Sequence, residues 1–218
     1  PQTPNPKPQT PNPKPQCVVM FRALYLLFFG PSPPPQHPPL PPPRSLPVSI
    51  KISFWGRVNT GKTSYVRRLK NLPLVSPADP VTITCDFPRV LLDIQGKIHE
   101  LILWDTAGQE RFVDIPPIFT RDTHIFVSLF DPTQLDSWTA TKKAVDVFRS
   151  SRGDSGEVLV VANSIYSAIH PPSVSQREVD EYCLQVGAFF QSVDLRTATQ
   201  AELLNKISEI LLKMELTK

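Results

Sequence analysis

Cysteine is scarce in this sequence, with three residues in a chain of 218. The three are widely spaced, form no Cys-x-x-Cys pair and have no histidine at metal-ligand spacing. The pattern therefore indicates neither a disulfide framework nor a zinc site. This cysteine usage fits a reducing compartment, so we expect a cytoplasmic protein.

Acidic residues are absent from residues 1–47, which hold four basic residues and 17 of the 26 prolines. The rest of the chain has 19 basic and 20 acidic side chains and is therefore close to neutral. Because the positive charge comes from the proline-rich part, no basic surface for nucleic acid is predicted on the remainder. We divide the chain into a disordered proline-rich segment, 1–47, and a folded domain, 48–218.

Residues 1–16 lack apolar side chains and consist of the heptapeptide PQTPNPK, present twice and followed by Pro-Gln. The DNA repeat CCCCAAA, read in one frame, passes through all three codon phases and encodes this heptapeptide. We therefore interpret residues 1–16 as translated repeat DNA of the telomere type, with Met20 as the expected start of the protein. Mass spectrometry of the native N-terminus tests this hypothesis, because peptides from residues 1–16 would contradict it.

A transmembrane helix is not predicted in the N-terminal segment. Its most apolar stretch, Cys17 to Gly30, has 14 residues including Arg22, whereas about 18 are needed to span a bilayer. From Met20 the stretch also resembles a weak signal peptide, but no small-x-small cleavage site follows. A disordered or non-coding stretch is the alternative interpretation.

The segment from 31 to 47 is dominated by proline and should form a polyproline II linker. Pro39, Pro42 and Arg44 also match the PxxPxR pattern that Src-homology-3 domains bind. Because proline runs meet this pattern easily, a linker is the preferred interpretation.

The domain begins with a predicted strand that leads into a loop containing two glycines. Apolar residues at 48, 50, 52 and 54 alternate with polar ones, which is typical of a strand. Residues 56–63 read GRVNTGKT and match the phosphate-loop pattern GxxxxGK[ST]. Tyr65, Leu69 and Leu72 then repeat at helical spacing, so the pattern has the strand, loop and helix context that it requires.

The phosphate-loop pattern assigns chemistry to its residues. Its glycines allow backbone N–H groups to close round phosphates, its lysine reaches the outer phosphates, and its final hydroxyl binds Mg²⁺. Lys62 and Thr63 are the lysine and the hydroxyl residue here. The loop residues that we expect to bind the nucleotide are Gly56, Asn59, Thr60, Gly61, Lys62, Thr63 and Ser64.

A second motif, Trp-Asp-Thr-Ala-Gly-Gln-Glu-Arg-Phe at residues 104–112, follows a predicted strand at 101–103. It closely resembles the third motif of Ras-superfamily small GTPases, in particular of the Rab branch. The resemblance extends over about 170 residues and implies binding of GTP or GDP with Mg²⁺. It also implies that Asp105 holds Mg²⁺ through water, that Gly108 senses the γ-phosphate and that Gln109 orients the attacking water.

The remaining sequence alternates between strand and helix patterns. Near-continuous apolar runs at 125–130 and 158–162 are typical of strands buried on both faces. Between and after them lie three helical stripes, at 138–148, 179–186 and 203–214. Together with the resemblance, this alternation predicts the α/β class and the P-loop NTPase fold, with a mostly parallel six-stranded sheet flanked by helices.

The resemblance also identifies a first switch at 82–87, in which Thr82 would bind Mg²⁺ in the triphosphate state. A strand-edge threonine is the alternative. The resemblance implies a switch with a role in vesicle traffic. It also implies that effectors bind through an aromatic triad of Phe87, Trp104 and Phe119, and the alternative is that all three are core residues. Exchange factors and activating proteins are further expected partners, and we expect a monomer.

No cysteine lies near the C-terminal sequence Met-Glu-Leu-Thr-Lys, so no lipid anchor is expected. Association with membranes would then depend on partner proteins. The site of action that we expect is cytoplasmic, peripheral to membranes where a partner provides the contact.

The sequence departs from the family where the guanine base is recognised. Residues 163–166 read Asn-Ser-Ile-Tyr in place of Asn-Lys-x-Asp, so only Asn163 is kept as a nucleotide-binding residue. Residues 190–195 likewise replace the turn that carries Ser-Ala-Lys. Weak discrimination against adenine is predicted, unless Asp194 reads the base.

One further residue affects the predicted activity, and two alternative functions remain. Val58 occupies the third loop position, where small residues are usual, so slow hydrolysis is predicted. A pseudo-GTPase that acts as a binding module or scaffold is the main alternative to a switch. A nucleotide kinase or ATPase with the same phosphate loop would leave the motif at 104–112 unexplained.

Overall fold

The structure is a computed structural model that describes residues 47–74, 87–105, 115–153, 155–167 and 169–216. The strands in these ranges are β1 (Val48–Trp55), β2 (Arg89–Ile94), β3 (Lys97–Asp105), β4 (Ile125–Phe130), β5 (Glu157–Asn163) and β6 (Phe189–Val193). The helices are α1 (Lys62–Leu69), α2 (Pro117–Thr120), α3 (Leu135–Arg152), α4 (Gln176–Val186) and α5 (Gln200–Leu216). A short 3-10 helix, Ser164–Tyr166, follows β5.

The strands form a single sheet in the order β2-β3-β1-β4-β5-β6. β2 and β3 are antiparallel and every other neighbouring pair is parallel. The antiparallel pair is a hairpin, because Gln95 and Gly96 both have positive φ, at 54° and 82°, which suits a tight two-residue turn. The predicted α/β fold with a mostly parallel six-stranded sheet is confirmed.

Both faces of the sheet are packed against helices. On one face, apolar residues of β1, β3, β4 and β5 pack with α1 and α5, and on the other, β4 and β5 pack with α3 and α4. β4 is buried along its whole length, as its continuous apolar sequence predicts. The helical stripes at Trp138, Val145 and Phe148 and at Leu203, Ile207 and Ile210 are core, as predicted.

Helix α1 is shorter than its apolar spacing predicts. Tyr65 and Leu69 are buried, but the helix ends at Leu69 and Leu72 is 38% exposed. Asn71 adopts a left-handed conformation, and the N–H of Leu72 donates to the carbonyl of Arg67 at 2.8 Å. This pattern is a Schellman C-cap. The prediction that Leu72 continues the buried stripe of the helix was therefore wrong.

None of the helices within the described ranges has the length and apolarity that crossing a membrane would require.

Candidate nucleotide-binding site

The candidate residues within the described ranges meet at the edge of the sheet where the parallel strands end. Phe54 in β1 is beside Asp105 in β3, and Asn163 in β5 is beside Val193 in β6. Because parallel strands share their carboxyl edge, the loop after β1, Asp105, Asn163 and the turn after β6 lie on the same side of the sheet. We describe this edge as a phosphate side, residues 56–64 with Asp105, and a base side, Asn163 with residues 194–198.

The phosphate loop has a conformation that only glycine fits at two positions. Gly56 has φ 146°, and a methyl group placed on it would lie 2.4 Å from the carbonyl oxygen of Leu129. Gly61 has φ 97°, and a methyl group there would lie 2.6 Å from Asn163 Nδ2. Asn59 between them also has positive φ, at 64°. The chain therefore curls tightly around the start of α1.

Lys62 is the first residue of α1 and is buried, although it carries a charge. Its Nζ donates to the carbonyl oxygens of Gly56 at 2.7 Å and Arg57 at 2.9 Å. Thr60 Oγ1 donates to the same Arg57 carbonyl at 2.9 Å. The ammonium group is thus held within the loop at a helix N-terminus, where charge and backbone N–H groups both favour an anion. These residues fit a nucleotide phosphate group.

The expected magnesium ligands are described only in part. Thr63 and Ser64, the second and third residues of α1, are half-buried, and Asp105 is buried at the end of β3. Thr82, Gly108 and Gln109 lie outside the described residues, so their expected roles remain predictions. In the described ranges, no group of three or more His, Cys, Asp or Glu side chains could hold a metal ion.

On the base side, Asn163 connects β5 to the phosphate loop. Its side chain is 2% exposed, and its Nδ2 donates to the carbonyl oxygen of Thr60 at 3.2 Å. Its Oδ1 is buried and accepts no hydrogen bond from the residues that the structure describes. A buried acceptor of this kind favours an N–H donor from a ligand. The position of Asn163 fits its expected role as a nucleotide-binding residue.

The turn after β6 already uses the carboxylate that could have read a base. Asp194 Oδ1 accepts from the backbone N–H of Arg196 at 2.9 Å and from its Nε at 3.0 Å. Asp194 Oδ2 accepts from Arg196 Nη2 at 2.6 Å. The Arg196 guanidinium lowers the pKa of Asp194 through these hydrogen bonds. Asp194 is therefore a poor candidate for the acceptor of the base N–H groups.

Sequence reasoning missed residues that join the two sides. Arg68, in α1, donates from Nε to the carbonyl oxygen of Leu195 at 2.9 Å and from Nη2 to that of Arg196 at 2.6 Å. Leu195 is fully buried, and its Cδ1 would lie 2.9 Å from a methyl group on Gly61. Arg68 and Leu195 are far apart in the chain, and no local sequence pattern relates them. Only an alignment with the family that the sequence resembles could have indicated their contact.

The proposed aromatic triad is one continuous group of rings with uneven exposure. The centroids of Phe87 and Trp104 are 4.4 Å apart, and those of Trp104 and Phe119 are 6.0 Å apart. Phe87 is 45% exposed, Trp104 is half-buried and Phe119 is 3% exposed. Phe119 is therefore a core residue that supports Trp104 rather than a surface residue.

Lys51 holds this aromatic group in place. Its Nζ lies 3.9 Å from the centroid of the Trp104 ring and donates to the carbonyl oxygens of Ile118 at 2.6 Å and Arg121 at 2.7 Å. Burial lowers the pKa of Lys51, although the nearby Asp122 opposes that change. The ammonium group thus links β1, β3 and the residues around α2.

Comparison with known proteins supports this interpretation. A sequence model of the Ras family matches residues 51–214. The Ras-related protein Rab-26 of Bos taurus is 26% identical over 181 residues, which cover 80% of this chain and 70% of that protein. The Ras-related protein Rab-21 of Geodia cydonium is 31% identical over 145 residues, which cover 66% of this chain and 62% of that protein. The family match spans most of the chain, and the chain therefore belongs to the Ras family, as a Rab-like small GTPase.

Proposed function

We propose that this chain is a nucleotide-dependent switch that binds GTP or GDP with Mg²⁺, hydrolyses GTP slowly and acts in vesicle traffic. Members of the Ras family bind guanine nucleotides, effectors, exchange factors and activating proteins. The observation that carries the proposal is the buried Lys62 ammonium, held by the carbonyls of Gly56 and Arg57 at the start of α1. The family match does not favour the alternative of a pseudo-GTPase that acts as a binding module or scaffold.

The chain would hold the nucleotide and metal with residues from both motifs. Lys62 and the N–H groups at the start of α1 would bind the phosphates, which carry the negative charge. Thr63, Thr82 and Asp105 would hold Mg²⁺, which supplies charge neutralisation at the outer phosphates. Gln109 would orient the attacking water, and Gly108 would respond to the γ-phosphate.

Base selectivity is the part of the proposal in which this chain differs from its family. Position 166 is tyrosine instead of the aspartate that accepts two hydrogen bonds from guanine, and the carboxylate of Asp194 is bound by Arg196. Hydrogen bonds to a charged group contribute about 1.5–3 kcal/mol each. Losing two would weaken guanine binding by roughly two to four decades. Adenine keeps the shared phosphate contacts, so discrimination should be poor.

Slow hydrolysis would result from two opposing features. Gln109 remains available to position water, whereas Val58 lies at the third loop position with 46% of its surface exposed. A branched side chain there would crowd the space through which an activating arginine enters. Val58→Gly should accelerate single-turnover hydrolysis of GTP, and an unchanged rate would remove Val58 from the explanation.

We also propose that effectors bind at Phe87 and Trp104, where the structure exposes aromatic surface. Phe87→Ala should weaken effector binding and change stability little. Phe119→Ala should cost about 3–5 kcal/mol of unfolding free energy, because this ring is buried. Chemical denaturation of both variants separates the interface from the core. Loss of stability alone at Phe87 would contradict its role in the interface.

The proposed switch is tested most directly by the nucleotide that the purified full-length protein contains. Acid release followed by chromatography should yield guanine nucleotide, with adenine nucleotide present if discrimination is poor. Lys62→Met, purified in the same way, is the matched control and should contain neither. A wild-type protein that contains no nucleotide and binds none on titration would contradict the proposal.

A further inference from the structure

We propose that Arg68 is a positioning residue that fixes the base-side turn, residues 194–198, to the helix of the phosphate loop and thereby slows nucleotide dissociation. The inference rests on the proposed function, because it assumes that a nucleotide occupies both sides of the site. It assigns a role to a residue outside the phosphate-loop pattern.

Arg68 lies in α1, the helix that begins with Lys62, and its planar fork faces the turn. Two different nitrogen atoms donate to consecutive carbonyl oxygens, Nε to Leu195 at 2.9 Å and Nη2 to Arg196 at 2.6 Å. A charged fork that binds two acceptors at once fixes both the distance and the angle between the helix and the turn. A lysine at this position would offer one ammonium group without that planar geometry.

The backbone N–H groups of the turn form hydrogen bonds within the turn, so these bonds do not attach it to α1. The N–H groups of Thr197 and Ala198 both donate to the carbonyl oxygen of Asp194, at 3.1 and 2.9 Å. The N–H of Arg196 donates to Asp194 Oδ1. The turn is therefore a compact unit that could move as a whole, and its carbonyls at 195 and 196 are the groups that Arg68 binds.

Packing and a second hydrogen bond make the same connection. Leu195 is fully buried against Gly61, the residue that precedes α1, where a methyl group would approach its Cδ1 to 2.9 Å. Gln200, at the start of α5, donates from Nε2 to the carbonyl oxygen of Leu69 at 2.7 Å. The turn is thus packed against the beginning of α1 through Leu195, and α5, which follows the turn, is bound to the end of α1 through Gln200.

This arrangement has a kinetic consequence. A nucleotide that contacts both the phosphate loop and the turn is released when the two separate, so a bond that holds them together lowers the release rate. Because Arg68 binds backbone carbonyls of the turn, its effect should not depend on which base is bound. Loss of Arg68 should therefore accelerate release of guanine and adenine nucleotides by the same factor.

The test uses Arg68→Met and Arg68→Lys, with Arg67→Met as the matched control. Arg67 is the neighbouring arginine of α1, and its Nε donates to the carbonyl oxygen of Pro73 instead of the turn. Stopped-flow release of fluorescent GDP and ADP analogues from the full chain gives the rates. Arg68→Met should release both analogues about tenfold faster. Arg68→Lys should lie between Arg68→Met and the wild type, and Arg67→Met should match the wild type.

A merely structural role for Arg68 would give a different result. Arg68→Met would then lower the melting temperature while the release rates stayed equal to those of Arg67→Met, and that outcome would overturn the inference. Acceleration of one analogue only would also overturn it, because the residue would then act on base selectivity. If Arg68→Met does not fold, the comparison of Arg68→Lys with Arg67→Met decides in the same way.

A second measurement distinguishes failure of the proposed function from failure of the role inferred for Arg68. If the wild type binds neither analogue, the proposed function fails, and amide hydrogen exchange of the nucleotide-free protein then tests the inference. Arg68→Met should increase exchange at the N–H groups of Thr197 and Ala198 relative to Arg67→Met. Equal exchange in the two variants would overturn the positioning role.

Discussion

The phosphate side and the base side of the site are held together in different ways. On the phosphate side, the loop at residues 56–64 is held mainly by its own residues, because the carbonyls of Gly56 and Arg57 accept hydrogen bonds from Lys62, a few residues further on. The base side combines the end of β5 with the turn after β6, and side chains from distant elements fix it. The base side therefore depends on more distant parts of the sequence than the phosphate loop does.

The sharpest way to break the phosphate side is to add a side chain at Gly56. Gly56→Ala should lower the free energy of unfolding by roughly 3 kcal/mol, because its φ is 146° and the new methyl group would meet the Leu129 carbonyl. Gly96→Ala is the control, since it also has positive φ but nothing within 4 Å of the added group. That control should lose about 1 kcal/mol. Equal losses in urea denaturation would show that the contact with Leu129 does not matter.

Removing the Lys62 charge from the phosphate side should weaken the binding of guanine and adenine nucleotides equally. Lys62→Met should weaken GDP and ADP binding by roughly 100-fold or more, because the phosphates lose a charged hydrogen-bond donor. Lys70→Met, just beyond the end of α1, is the control and should bind like the wild type. Calorimetric titration measures both ligands. A selective loss for GDP alone would show that Lys62 also affects base recognition.

Restoring the family residues on the base side should separate the two bases. The double substitution Ser164→Lys with Tyr166→Asp should tighten GDP binding by roughly 100-fold or more and change ADP binding little. Ser164→Lys alone supplies no carboxylate and is the control. Titration of the unmodified chain completes the comparison. Tight, guanine-selective binding by that chain would show that another group already reads the base.

Neither side of the site should depend on the proline-rich segment. Deletion of this segment should therefore have the smallest effect on stability and nucleotide binding. A chain that begins at Leu46 should melt within a few degrees of the full chain and bind nucleotide equally, because residues 1–47 have no periodic apolar face to contribute. Differential scanning calorimetry of the two chains measures this. A larger drop in melting temperature would show that the domain boundary at 48 is wrong.

The sequence predicted those features that depend on neighbouring residues. The strand and helix on either side of the phosphate-loop motif, the buried strand β4 and the core residues of the helical stripes all have local patterns, and the structure confirms them. The hairpin of β2 and β3 was not predicted as a unit, although Gly96 at its turn was a usable sign. The end of α1 was misjudged because Leu72 keeps helical spacing while Asn71 turns the chain.

Other features could not be predicted because they arise only when distant segments meet. The bonds from Arg68 to the turn depend on how α1 packs beside β6. The engagement of Asp194 by Arg196 is local, but a carboxylate beside an arginine does not reveal whether the pair faces a ligand. The exposure of Phe87 and the burial of Phe119 likewise follow from the packing around Trp104.

The contact between Lys51 and Trp104 gives the protein a built-in optical signal. Of its three tryptophans, Trp55 and Trp138 are buried, and the Lys142 ammonium lies 5.3 Å from the ring centroid of Trp138. Trp104 is half-buried, and the Lys51 ammonium lies 3.9 Å from its ring centroid. Indole emission responds to a nearby charge and to water, so movement of the carbonyls at 118 and 121 that hold Lys51 would change the fluorescence of Trp104. We therefore expect rearrangement beside the aromatic group to change the tryptophan fluorescence without any attached dye.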